Sequence, residues 1–164
     1  MAPKKPIEKA TFPHVVESAI ENGSGPEALY AALDLGTNSC RMLIAQPKGA
    51  QFHVIDSFAK SVQLGSGLEK TGKLSRDSMN RTIQALKVCK QKLDKYDVKY
   101  SRLIATEACR RAKNSKDFIL KVFQETGLKL NIIDTEEEAR LAVISCAPLV
   151  SSKSEQLLLS LIHI

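Results

Sequence analysis

The chain has 164 residues, 43% of them hydrophobic and 26% charged, a balance that excludes a disordered segment. No run of about 18 apolar residues occurs, which excludes a helical membrane span. Twenty-four Lys and Arg against 18 Asp and Glu give a net charge of +6, and residues 60–129 alone hold 17 basic against seven acidic residues. That stretch reads either as a solvated helix face or as a surface for a polyanion. Aromatics amount to 5% and Trp is absent, so base stacking has no platform and no nucleic-acid partner is expected. The cysteines at 40, 89, 109 and 146 lack the close spacing of zinc or redox pairs. They read as free thiols of a reducing compartment, the cytoplasm.

In chain order, residues 1–27 read as a leader without a stable fold, ending in the flexible Gly23-Ser-Gly-Pro26. Leu29 to Leu35 suits a buried strand. The turn Gly36-Thr-Asn-Ser39 leads into a second strand, Cys40 to Ala45, stopped by Pro47 and Gly49. Phe52 to Leu64 is a third, and the short connections predict an antiparallel meander. After Gly65, Gly67 and Gly72, Ser75 is placed to cap a helix with Met79, Ile83, Leu86, Cys89 and Leu93 on one stripe. Arg102 to Thr106 is a short strand. Ser115 caps a helix bearing Phe118, Ile119, Val122 and Phe123, which Gly127 ends. Leu130 to Ile133 is the fifth strand, and Thr135 opens a helix running to about Ala147 before Pro148. The order β-β-β-α-β-α-β-α predicts an α/β domain with a mixed sheet.

Three segments carry candidate chemistry, each with a plain structural alternative. In Asp34-Leu-Gly-Thr-Asn-Ser39, a carboxylate at a strand end precedes a turn of small residues. Such a turn offers several N–H groups to a phosphate, with Asp34 placed to hold a hydrated Mg²⁺; the alternative is an ordinary hairpin turn. In Thr106-Glu-Ala-Cys-Arg110-Arg111, two guanidinium groups follow a strand end, where α/β sheets place ligands. They also read as surface cations. In Thr135-Glu-Glu-Glu-Ala-Arg140, Glu138 has the spacing of a capping-box partner to Thr135. The functional reading makes Glu138 a general base, with Glu136 and Glu137 towards solvent. His14, His53 and His163 have no acidic or cysteine partner at ligand spacing, so neither a histidine metal site nor a Ser-His-Asp or Cys-His nucleophile is expected.

Taken together, these segments resemble the exopolyphosphatase / guanosine pentaphosphate phosphohydrolase (Ppx/GppA) family over about Tyr30 to Ala147. The landmarks are Asp34 to Ser39 with Arg41, Leu64-Gly-Ser-Gly-Leu-Glu69 with Thr71-Gly-Lys-Leu74, Ala105 to Asn114, and Ile133 to Arg140. The resemblance implies one lobe of the actin-like, ribonuclease-H-like ATPase fold, whose five-stranded order is the one read above. It implies hydrolysis of terminal phosphoanhydride bonds in inorganic polyphosphate or guanosine pentaphosphate, with Mg²⁺ as cofactor. Glu138 matches the general base and Arg110 the phosphate-contacting arginine. Gly36, Thr37, Asn38, Ser39, Arg41 and Thr106 take phosphate-binding roles, and Asp34 a metal role. Members of the family form homodimers. A kinase of the same superfamily and a non-catalytic polyphosphate- or alarmone-binding module are the competing readings.

The pattern departs from the family at its end. Residues 28–150 correspond to the first lobe, and 151–164 read as a linker and the first strand of a second lobe. The second glycine-rich phosphate loop does not follow, since no glycine occurs after Gly127. The chain therefore reads as truncated, and inactive or weakly active alone.

Overall fold

The computed structural model describes residues 28–48 and 51–146. The predicted leader and the segment 151–164 lie outside the described residues. Strands β1 (Tyr30–Leu35), β2 (Ser39–Lys48) and β3 (Gln51–Ser61) form the expected antiparallel meander. β4 (Tyr100–Ala105) then pairs parallel with β1, and β5 (Asn131–Ile132) parallel with β4. The result is a mixed five-stranded sheet in the order β3-β2-β1-β4-β5, an α/β architecture as predicted. Two short helices were not anticipated, α1 (Leu68–Thr71) and α3 (Glu107–Arg111). The longer ones are α2 (Arg76–Lys95), α4 (Ser115–Thr126) and α5 (Thr135–Cys146). Among the described residues, no helix is long and apolar enough to cross a membrane.

The strands bury one face only. Ala31, Leu33 and Leu35 of β1 and Cys40, Met42 and Ile44 of β2 are buried, while their neighbours Ala32, Asp34 and Arg41 are exposed. The strand read at Leu29 to Leu35 is present over Tyr30–Leu35, and alternation puts Ala32 and Asp34 on the exposed face. β2 also outlasts its predicted stop, continuing through Pro47 to Lys48. Its pairing with β1 ends at Ala45, so beyond that point the strand has β3 as its ladder partner. A proline there costs no hydrogen bond on the open side.

The buried face is covered by α2, packed on β2, and by α4, packed on α2. Ser75 caps α2 as expected, accepting the Ser78 N–H at 3.1 Å. Ile83, Leu86, Cys89 and Leu93 form the buried stripe, with Met79 at its margin. α4 starts one residue earlier than predicted. Asn114 holds the N-cap position and Ser115 is the first helical residue. Phe118 and Val122, one turn apart, are buried, whereas Phe123 falls off this stripe and is exposed. Gly127 ends the helix at φ 72°, its N–H donating to the Phe123 carbonyl at 2.8 Å. Several cations of the basic stretch are paired. Lys87 meets Glu125 at 2.8 Å between α2 and α4, and Lys92 meets Asp56 at 2.6 Å between α2 and β3.

Residues 25–135 form one compact unit, and α5 from Glu136 onward belongs to a second. On α5, Arg140 grips Glu137 with both ends of its guanidinium fork, at 2.6 and 2.9 Å. The helix takes in Thr135, so Asp134 holds the position before its first residue. The spacing of a capping box from Thr135 to Glu138 is therefore one residue out of step.

Candidate functional site

β1 and β4 run side by side and end level, with Leu35 opposite Ala105. The Thr106 N–H continues the ladder to the Leu35 carbonyl at 3.1 Å, and the Ile133 N–H reaches the Ala105 carbonyl at 3.1 Å. The carboxyl ends of three parallel strands thus gather the turn after Leu35, the turn at Thr106 and residues 133–135. Open α/β sheets bind ligands at such an end.

In the first turn, the Gly36 N–H donates to the Ser39 carbonyl at 2.9 Å, so this N–H is spent inside the turn. The Asn38 carbonyl accepts from Val62 and Gln63 at 2.9 and 3.0 Å, and the Thr37 carbonyl from Gly65 at 3.0 Å. All peptides here are trans. A trans peptide sets its N–H opposite its C=O, so the Asn38 and Ser39 N–H groups face away from residues 62–65. Asn38 is exposed. Asp34 and Arg41 are register partners across β1 and β2, both exposed. Among the described residues, the Thr37 hydroxyl oxygen is a buried side-chain atom without a hydrogen-bond partner. An orphaned buried oxygen marks a place where a ligand or ion completes the set.

Arg110 is set by the second turn. Thr106 is buried, and its carbonyl accepts the N–H groups of Cys109 and Arg110, both at 3.0 Å. The Arg110 guanidinium donates to the Ile133 carbonyl at 2.9 Å and to Glu107 at 3.1 Å. Its side chain is 17% exposed, against 51% for Arg111. A guanidinium held from two sides has lost most of its rotamer freedom before any anion arrives. Arg111 makes longer surface pairs with Glu69 and Glu107, at 3.3 and 3.4 Å. It fits the surface-cation reading. Glu138 lies on α5, half-buried, in the second unit. Glu137 is held by Arg140 instead of facing solvent freely.

The thiols near these turns are not nucleophiles. Burial pushes the Cys109 thiol up to about 12. A hydrogen bond with Cys89, together with burial, raises Cys40 as well. Both therefore stay protonated at neutral pH. For a metal, no group of three or more His, Cys, Asp or Glu gathers among the described residues. The one carboxylate at the end of β1 and in the turn after it is that of Asp34, and the neutral oxygens of Thr37, Asn38 and Ser39 follow it in the chain. Hard oxygen donors this few fit Mg²⁺, which keeps several waters and takes the rest of its shell from substrate phosphates.

A family model described as the Ppx/GppA phosphatase family matches residues 43–160. The chain belongs to the Ppx/GppA phosphatase family. A Ppx/GppA family member from Aquifex aeolicus superposes with a TM-score of 0.69 at 36% identity, over 73% of this chain and 39% of that one. The type II variant of the Aquifex aeolicus phosphatase gives 0.67 at 37% identity, over 72% and 40%. An exopolyphosphatase from Cytophaga hutchinsonii gives 0.66 at 26% identity, over 69% and 36%. The chain thus spans about two fifths of the length of these structures.

Two partners of Arg110 escaped the sequence reading. One is the Ile133 carbonyl, since a backbone acceptor leaves no mark in residue type. The other is Glu107, whose (i, i+3) spacing from Arg110 was visible in the sequence.

Proposed function

We propose that the chain supplies the phosphate-gripping half of a Mg²⁺-dependent hydrolase acting on terminal phosphoanhydride bonds of inorganic polyphosphate or guanosine pentaphosphate. The observation that carries this reading is the meeting of the Gly36–Ser39 turn and the braced Arg110 at the ends of β1 and β4. Family membership supports the reaction class.

The Asn38 and Ser39 N–H groups and the Arg41 and Arg110 guanidinium groups take the oxygens of the terminal phosphoryl group. Donors fixed in advance stabilise charge as it develops, and losing one costs on the order of 10²–10³-fold in rate. Thr106 acts through its carbonyl, which sets the start of α3 and so the direction of Arg110. Asp34, with the Thr37 hydroxyl, would hold the Mg²⁺, which when bound supplies charge neutralisation at the phosphoryl oxygens. Glu138 takes the proton of the attacking water; this role rests on its place in the family motif.

The test is a chimaera joining this chain to the C-terminal remainder of the Aquifex aeolicus relative. It should release phosphate from polyphosphate. Glu138→Gln should lower that rate by about 10²–10⁴-fold, the usual value of a general base, with an unchanged circular dichroism spectrum. Undiminished release would return Glu138 to a helix-end residue. A second reading draws on the two-fifths coverage of the relatives. Salt-sensitive binding of tripolyphosphate by the chain alone, with no phosphate release even from the chimaera, would favour the non-catalytic binding module.

A further inference from the structure

The segment Leu64-Gly-Ser-Gly-Leu-Glu69 with Thr71-Gly-Lys-Leu74 has so far no role in phosphate binding or proton transfer. Its connections are unusual for a surface link. At one end, the N–H groups of Gly65 and of Val62 and Gln63, which lead into the segment, bond to the carbonyls of Thr37 and Asn38 in the phosphate turn. At the other end, the Lys113 N–H donates to the Gly72 carbonyl at 3.0 Å. The Asn114 side chain there closes a two-way fork on Leu74, accepting its N–H at 2.8 Å and donating to its carbonyl at 3.0 Å. Between the two ends, Val62, Leu64, Leu68 and Leu74 are buried in the core, so the segment cannot shift freely.

We propose that residues 62–75 are a brace that fixes the phosphate turn relative to the Arg110 turn, with Gly65 as its positioning residue. The inference rests on the phosphate-binding role proposed above for residues 36–39. The brace grips the two carbonyls whose peptides carry the Asn38 and Ser39 N–H groups, so the aim of those N–H groups follows its position. Its far end ties residues 113–114, just beyond α3, so both halves of the phosphate grip share one support.

Gly65 is the tight point. Its φ lies outside the left-handed region, so its backbone would accept another residue. A Cβ there would instead overlap the Thr37 Cγ2 methyl. A residue larger than glycine at 65 would have to displace the Thr37 side chain of the phosphate turn. Gly67 and Gly72 serve the chain path differently, at φ 77° and 67° where side chains are strained.

The first measurement needs no ligand. In Gly65→Ala, amide hydrogen exchange should accelerate in peptides spanning 35–42 and 106–114, while β3 and α2 keep wild-type protection. Acceleration confined to 62–75, or none, overturns the brace. Asn114→Ala, which opens the opposite end, should speed exchange at 35–42; unchanged exchange there is equally fatal. This variant also keeps the question open to test if Gly65→Ala does not fold.

The second measurement is tripolyphosphate affinity by calorimetry. Gly65→Ala should weaken it by about tenfold in the wild-type background, as displaced positioning groups do. In the Thr37→Ser background, which lacks the offending methyl, the same change should cost no more than about threefold, a coupling that a general loss of stability would not produce. Equal losses in both backgrounds overturn Gly65 as the positioning residue. Should the wild-type chain fail to bind tripolyphosphate at all, the phosphate-binding reading falls, and the exchange data still decide the brace.

Discussion

The two faces of the sheet differ in what they ask of their residues. One face, with Leu33, Leu35, Cys40, Met42 and Ile44, is almost wholly buried under α2, on which α4 packs in turn. The other carries Ala32, Asp34, Arg41 and Val54, all exposed. Alternation along a strand assigns each residue to one face or the other, so Asp34 and Arg41 sit beside core residues without being buried. The lesson is a division of labour one residue wide. Stability is invested in one face, and charge that would be ruinous in that core is tolerated on the other.

The largest expected effect breaks the buried face. Phe118 of α4 is fully buried in the core, so Phe118→Ala should cost about 3–5 kcal/mol in chemical denaturation. A cost near zero would mean that this face does not carry the stability. The opposite face should behave in reverse. Asp34→Asn should change stability by no more than about 0.5 kcal/mol, as exposed substitutions do. It should nevertheless remove the enhancement of tripolyphosphate binding by Mg²⁺, read by calorimetry with and without the ion. The smallest effect concerns pH. The hydrogen bond from Lys92 holds the Asp56 carboxyl below the usual carboxylate range. Its contribution is therefore complete above that range and disappears as pH falls through the lowered value. Asp56→Asn should be slightly less stable at neutral pH and should lose the part of the acid sensitivity that this pair supplies, seen as a shallower fall in melting temperature below pH 4.

Much of this was legible in the sequence, for identifiable reasons. The meander, the Ser75 cap and the Gly127 stop all depend on local spacing, which a sequence displays directly. The approach of the Gly36–Ser39 turn to Thr106 was implied only by family resemblance. It arises from parallel pairing of strands about seventy residues apart, Tyr30 with Tyr100, and no local pattern records such a pairing. The N-cap position of Asn114 was missed because its side chain does not cap the helix but bonds to Leu74, forty positions away. The brace was visible as a motif and invisible as a device. Its glycines suggested turns, whereas Gly65 answers to a methyl group on another loop.

The position of β1 bears on how the chain reaches this state. It is the first strand of the sheet in sequence and stands at its centre, antiparallel to β2 on one side and parallel to β4 on the other. The hairpin with β2 closes over a turn of a few residues, a fast event, while β4 must arrive after the whole of α2. During synthesis and refolding alike, β1 presents an unpaired edge until residues 100–105 dock. The rate-limiting step of folding should therefore be that docking, and the junction of the two turns at the ends of β1 and β4, which needs both strands, cannot form before it.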